Sequence, residues 1–318
     1  MTSIGSPILW TIFGLFILFM LALDLGVFHR TNRRMGFREA LLWSGIWISL
    51  AAAFNVWIYF RFGSEPALQF LTGFLVEKAL SLDNVFVFAV VFSYFAIRDE
   101  HQHRVLFWGV LGALVMRAVF IALGSALVSN FHWVLYVFGA ILAITGIKLL
   151  IDRNEKMDPS RSWVVRTFRR LVPMTDSADS GHFFTRENGV RLATPLLLAL
   201  VVVEASDLLF AIDSIPAVFA ITTDPFLVFT SNVFAILGMR ALYFALAGLI
   251  QRLRYLKVGL SAVLIFIGAK MLIAGLYKPP IAATLAIVVL LMTASALASL
   301  WADRRQNLNP PVPVRNAS

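Results

Sequence analysis

The sequence contains no cysteine among its 318 residues. Disulfides, thiolate metal centres and cysteine nucleophiles are therefore excluded for this chain. Charge is also scarce: Asp, Glu, Lys and Arg make up 14% of the residues, against 59% hydrophobic ones. A soluble domain of this length needs far more polar surface, so composition assigns the chain to the membrane class. There are five histidines, and within the long apolar runs only His132 appears, at an edge. His-Glu-x-x-His, Gly-x-Ser-x-Gly and Gly-x-x-x-x-Gly-Lys motifs are all missing. Zinc-peptidase, serine-hydrolase and nucleotide-binding chemistries lose their usual signatures with them. A membrane aspartyl hydrolase would need only two intramembrane carboxylates, but the acids here recur as repeated pairs, which such an enzyme does not predict. The chain is expected not to be an enzyme.

The charge that is present is mostly basic, with a formal net charge of +9. A basic excess can signal nucleic acid, but the positions argue for a membrane. Of the 27 Lys and Arg, 20 fall in alternate connecting segments, the positive-inside pattern. No nucleic-acid partner is expected. The first apolar run is followed, not preceded, by its arginines (Arg30, Arg33, Arg34), so it reads as a retained anchor rather than a cleaved leader.

A span needs about 20 apolar residues. Nine runs qualify, near 8–28, 38–60, 67–96, 105–127, 132–151, 194–221, 225–249, 256–276 and 280–301. The expected fold is an all-α membrane protein with about nine transmembrane helices. Its expected organisation is two N-terminal helices (1–66), a three-helix unit (67–151), a cytoplasmic linker (152–193), a second three-helix unit (194–276), a final helix (277–301) and a cytoplasmic tail (302–318). The N-terminus falls outside and the C-terminus in the cytoplasm. Within the linker, residues 163–171 are basic and amphipathic, which suits a surface helix. Asn188-Gly189 suits a hairpin turn.

Three charged signals recur in the same order. Residues 77–84 (EKALSLDN) match 207–214 (DLLFAIDS); Met-Arg-Ala at 116–118 returns at 239–241; Gly-x-Lys at 146–148 returns at 268–270. Their offsets are 130, 123 and 122 residues. Each unit holds three spans with none between the units, so the copies should be inserted in opposite senses. That is a three-plus-three inverted repeat, whose sites lie near the bilayer midplane in secondary transporters.

Six acids (Asp24, Glu77, Asp83, Glu204, Asp207, Asp213) and five bases (Lys78, Arg117, Lys148, Arg240, Lys270) fall inside the expected spans. Such charges cost several kcal/mol unless paired or hydrated. Six residues of helix rise about 9 Å, so antiparallel insertion should level Glu77 with Asp213 and Asp83 with Asp207. Glu204 lies one turn from Asp207 and shares its face. Six residues also turn a helix by about 240°, so Glu77 and Asp83 leave on different faces unless the helix unwinds between them. Pro216 suggests such a break in the sixth span. Carboxylate, amide and carbonyl oxygens suit Mg²⁺, Ca²⁺ or Mn²⁺, which gives Glu77, Asp83, Asn84, Glu204, Asp207 and Asp213 as candidate ligands. Against this stands a structural alternative in which the acids merely neutralise the bases, for example Asp83 with Lys148. Arg117 and Arg240 are read as charge balance. Lys148 and Lys270 are read as coupling groups that occupy a cation site when it empties. Asp24 is either a site or an anchor residue. Asn55 and Asn232 are read as interhelical hydrogen bonds.

Residues 77–88 (EKALSLDNVFVF) resemble the first signature of the TerC family, and residues 204–218 (EASDLLFAIDSIPAV) the second. The linker strings FFTRENG (183–189) and ATPL (193–196) are similar to that family too, within which the Alx-like branch fits best. The resemblance implies an inner-membrane protein of the LysE-type transporter group that exports Mn²⁺, with links to alkaline pH response and tellurite resistance. It also implies that Glu77, Asp83, Glu204, Asp207 and Asp213 bind the ion, and that some relatives supply metal to secreted enzymes through membrane protein partners. Export of a hard divalent cation is the expected function. The alternative is a scaffold that senses or delivers metal without transporting it. The bilayer and a divalent ion are the expected partners; no organic cofactor is expected.

Overall fold

The computed structural model describes residues 3–28, 36–151, 162–175, 181–187, 189–246, 255–277 and 279–308, with the side chains of 24–28 and 303–308 left undescribed. It is nearly all helical. The elements are α1 (Pro7–Phe28), α2 (Phe37–Phe62), α3 (Ser64–Tyr94), α4 (Asp99–Asn130), α5 (Val134–Ile151), α6 (Trp163–Leu171), β1 (Phe184–Glu187), β2 (Val190–Ala193), α7 (Pro195–Phe219), α8 (Pro225–Leu237), α9 (Met239–Leu246), α10 (Leu256–Leu272) and α11 (Ile281–Leu308).

A helix lies over each of the nine apolar runs, with the seventh divided between α8 and α9. Five helices are long and apolar enough on their own to cross a membrane: α2, α4, α5, α7 and the Ile281–Ala302 part of α11. The bent pair α8 and α9 makes a sixth. Two other runs fall short on their own residues: charged Glu65, Glu77, Lys78 and Asp83 punctuate α3, and α10 has only 17 residues. In α1 the side chains are described only as far as Leu23, and the stretch Pro7–Leu23 is apolar.

The expected break near Pro216 is absent. α3 and α7 are continuous helices, and Pro216 sits in the last turn of α7, where few backbone bonds remain to be lost. The break falls instead at Gly238, where α8 and α9 diverge by 41°.

Packing is set by small residues at the crossings. A Cβ on Gly73 of α3 would meet Ser231 Oγ at 3.0 Å and Val218 at 3.3 Å, and one on Gly109 of α4 would meet Val203 at 3.2 Å. α3 therefore runs antiparallel to α7, with residue 73 opposite 218 and residue 84 opposite 207. The tightest crossing joins α5 to α10, also antiparallel. A Cβ on Gly139 would lie 3.1 Å from the Gly268 carbonyl, and one on Gly146 3.0 Å from the Ser261 carbonyl. The Ser261 hydroxyl donates to the Gly146 carbonyl.

In the linker, α6 covers the segment read as a surface helix. It buries Val165 and leaves Trp163 and Leu171 exposed. β1 and β2 pair antiparallel, with Glu187 opposite Val190. Gly189 takes φ +82°, as the two-residue turn requires; Asn188 lies outside the described residues.

Candidate functional site

At the centre of the helix packing lies a buried polar network. Glu77 is 0% exposed, Arg117 2% and Asp207 2%. Arg117 extends from α4 between α3 and α7. One guanidinium nitrogen, Nη1, donates to Glu77 Oε1, to Ser214 Oγ (3.2 Å) and to Asn232 Oδ1 (2.7 Å). The other, Nη2, reaches Asp207 Oδ1 at 3.4 Å. Asn84 Nδ2 donates to the same Asp207 oxygen at 2.9 Å. Asn232 is itself anchored, its amide donating to the Val228 carbonyl at 3.0 Å.

Antiparallel α3 and α7 thus bring residue 77 level with 214, and residue 84 level with 207. These pairs are related by the repeat: Glu77 corresponds to Asp207, and Asn84 to Ser214. The expected levels, Glu77 with Asp213 and Asp83 with Asp207, hold to within one residue, but the groups that meet at each level are different ones. Because both helices stay regular, Asp83 and Asp213 swing off the shared face, and their next neighbours, Asn84 and Ser214, occupy it. Asp213 accepts a hydrogen bond from Thr145 of α5 at 2.9 Å. Half-buried Asp83 interacts with Lys257, whose ammonium lies 5.1 Å from the Phe86 ring centroid.

Glu204 stands one turn from Asp207 and interacts with its charge. Its carboxylate lies against the backbone of Gly112, where a Cβ would overlap it. Lys148 is exposed in the last turn of α5, so the suggested Asp83–Lys148 pair does not form. Lys270 is half-buried and donates to the Ala220 carbonyl at 3.5 Å. Arg240 is buried in α9, two residues past the break. Asp24 lies outside the residues whose side chains are described.

Three contributors were not assigned a site role from sequence. Asn232 carried no repeat signal, and only tertiary packing brings it to Arg117. Ser214 did carry one, as the counterpart of Asn84. Lys78 leaves the same turn of α3 as Glu77 and donates to the Ala235 carbonyl at 3.0 Å. In an unbroken helix that carbonyl would accept from residue 239, so Lys78 satisfies a group at the α8–α9 break.

Among the described residues, Glu77 Oε2, Asn84 Oδ1 and Asp207 Oδ2 are buried without a hydrogen-bond partner. Three hard oxygen acceptors left over in a membrane core have the ligand chemistry of a hard cation. Among the same residues, no three His, Cys, Asp or Glu side chains converge as a metal group. The unpaired oxygens come from two carboxylates and an amide instead.

A family model described as "Integral membrane protein TerC family" matches residues 62–307. The chain belongs to the TerC family. It is 55% identical over 302 residues to an uncharacterized membrane protein of Myxococcus xanthus, covering 95% of each chain. It is 46% identical over 316 residues to the Escherichia coli K12 protein named "Putative membrane-bound redox modulator Alx", covering 96% of this chain and 98% of that one. An uncharacterized membrane protein of Rickettsia bellii is 40% identical over 291 residues, covering 92% and 96%. No solved structure matches. The network residues Glu77, Asn84, Arg117, Asp207, Ser214 and Asn232 all lie inside the region matched to TerC.

Proposed function

We propose that this TerC protein is a secondary transporter that exports a hard divalent cation, Mn²⁺ in the first instance, from cytoplasm to periplasm. The observation that carries the proposal is the set of unpartnered buried oxygens on Glu77, Asn84 and Asp207. Glu204 is one turn away to extend the set. Asp83 and Asp213, which the family resemblance adds as ligands, lie on neighbouring faces and would serve as stations along the path.

In this proposal the chain crosses the inner membrane of a bacterium nine times, N-terminus periplasmic and C-terminus cytoplasmic, around an inverted repeat. The α5–α10 crossing supports the repeat. Exchanging the two units turns Gly139 into Ser261 and Gly146 into Gly268, so the contact of Gly139 with Gly268 becomes that of Ser261 with Gly146. Moving a divalent ion out against the membrane potential costs about 4.6 kcal/mol per 100 mV. Return of protons, carried by some of the same carboxylates, would supply it.

The close pairing of Arg117 with Glu77 favours a second reading, a scaffold that senses or delivers metal to partner proteins. The name of the Escherichia coli relative speaks of redox modulation. With no cysteine in this sequence, a redox role here would run through the metal rather than through thiols.

The test is Mn²⁺ flux into proteoliposomes holding only this protein, for wild type and for Asp207→Asn. Flux in wild type and its loss in a well-inserted variant support the transporter. Binding without flux supports the scaffold. Full flux in Asp207→Asn removes the site assignment.

A further inference from the structure

The structure holds a second polar space, away from the buried network. A cavity of about 590 Å³ opens at the C-terminal end of α7, between the start of α3, the loop into α8 and the end of α10. It has room for on the order of 20 waters. Glu65, Gln69, Thr223 and Lys270 line it, and Phe219 and Leu135 lie on its apolar side. Its polar groups are organised: Thr222 Oγ donates to Gln69 Oε1 at 2.7 Å, and Lys270 points its ammonium at the Ala220 carbonyl, just past the end of α7.

Below the cavity the character changes. The Phe219 ring lies 6.2 Å from that of Phe138 and packs with Ile121, Ile215 and Val218. A Cβ on Gly124 would come within 2.8 Å of the same ring, so α4 is notched to seat it. Beneath this apolar layer, one to two turns back along α7, come Ser214, which belongs to the Arg117 network, and Asp213.

We propose that this cavity is the outward vestibule through which a hydrated divalent cation leaves, with the Phe219 layer as its closed gate. This rests on the transporter reading above. The vestibule accepts an ion with its water shell, since its volume exceeds that of a cation with six to eight oxygen ligands. Lys270 stands at its wall with its charge on a carbonyl, the place a departing cation would otherwise take. The Phe219 layer separates this wet space from the sealed network.

The absence of cysteine supplies the experiment. Thr223→Cys and Ala274→Cys place one thiol each on the cavity wall. Ser129→Cys, exposed at the same end of parallel α4, places one outside it. Full-length variants in right-side-out vesicles are treated with a charged, membrane-impermeant methanethiosulfonate, and Mn²⁺ efflux is measured before and after. All three should be labelled from outside. Efflux should fall at least tenfold for the two cavity positions and stay unchanged for Ser129→Cys. If Thr223→Cys and Ala274→Cys are untouched from outside, or are labelled with efflux intact, the vestibule is overturned while the transporter stands. If the unlabelled parent shows no efflux, the transporter reading falls and takes the vestibule with it.

Discussion

Replacing Arg117 by Gln should be far more damaging than replacing either carboxylate it holds. In Arg117→Gln, Glu77 and Asp207 lose the guanidinium that bridges them at 0% and 2% exposure. Removing one partner of a buried ion pair costs about 3–5 kcal/mol. In Glu77→Gln the arginine keeps Asp207, Ser214 and Asn232, and a glutamine oxygen can still accept from Nη1. The loss is then the charge assistance of one hydrogen bond, about 1 kcal/mol. The double variant should recover part of the larger cost, with a coupling of about 1–3 kcal/mol. The assay is reversible SDS unfolding of the purified chain in mixed micelles, with chelator present so that metal occupancy is equal in every variant. Two outcomes refute the reasoning: Arg117→Gln within about 1 kcal/mol of Glu77→Gln, or a cycle additive to within about 0.5 kcal/mol. Either would mean that the guanidinium does not hold the carboxylates as a unit.

Lys78→Met should leave the Ala235 carbonyl unsatisfied beside the break, at about 1–3 kcal/mol. Hydrogen exchange should accelerate in α8 and α9 but not in α7; unchanged protection there would show that the lysine does not stabilise the bend. Gly268→Ala should destabilise by about 1–3 kcal/mol, because its Cβ would meet backbone atoms of Ala143 and Gly139 at 2.7 Å. Gly45→Ala, in α2 with nothing within 4 Å of the added atom, should instead gain up to about 1 kcal/mol from helix propensity; similar thermal shifts for both would contradict the tight α5–α10 crossing.

Much of this was legible in the sequence, and the illegible part has a definite cause. Apolar length located the helices, and paired carboxylates with a small polar residue after the second marked Glu77, Asn84, Asp207 and Ser214. Depth along the membrane follows from counting residues, so the level of 77 with 214, and of 84 with 207, could be approached without coordinates. Azimuth could not. Whether Asp83 or Asn84 faces the centre depends on whether α3 stays regular, and neighbouring helices decide that. The proline was a poor guide to the break for a similar reason. Pro216 in a last turn disturbs little, whereas Gly238 breaks its helix where Trp47 and Lys78 crowd it. Asn232 was legible as an interhelical hydrogen bond, which it makes, but nothing in its apolar run named Arg117 as the partner.

The matching arginines of the two sequence repeats sit in unlike backbone states, which the transport reading needs. Arg117 lies inside unbroken α4, while its counterpart Arg240 follows a 41° bend. A molecule with two identical halves would present its site equally to both sides of the membrane; a carrier in any one state must not. The adjacency of Glu77 and Lys78 ties the site to that difference. One turn of α3 sends Glu77 to Arg117 on α4 and Lys78 to Ala235 on α8. A cation that drew Glu77 from Arg117 would turn the same stretch of α3, and Lys78 would leave the carbonyl exposed by the bend. In the transport reading, occupancy of the buried oxygens and the shape of the α8–α9 pair would therefore be coupled, because both contacts hang on adjacent residues of one helix.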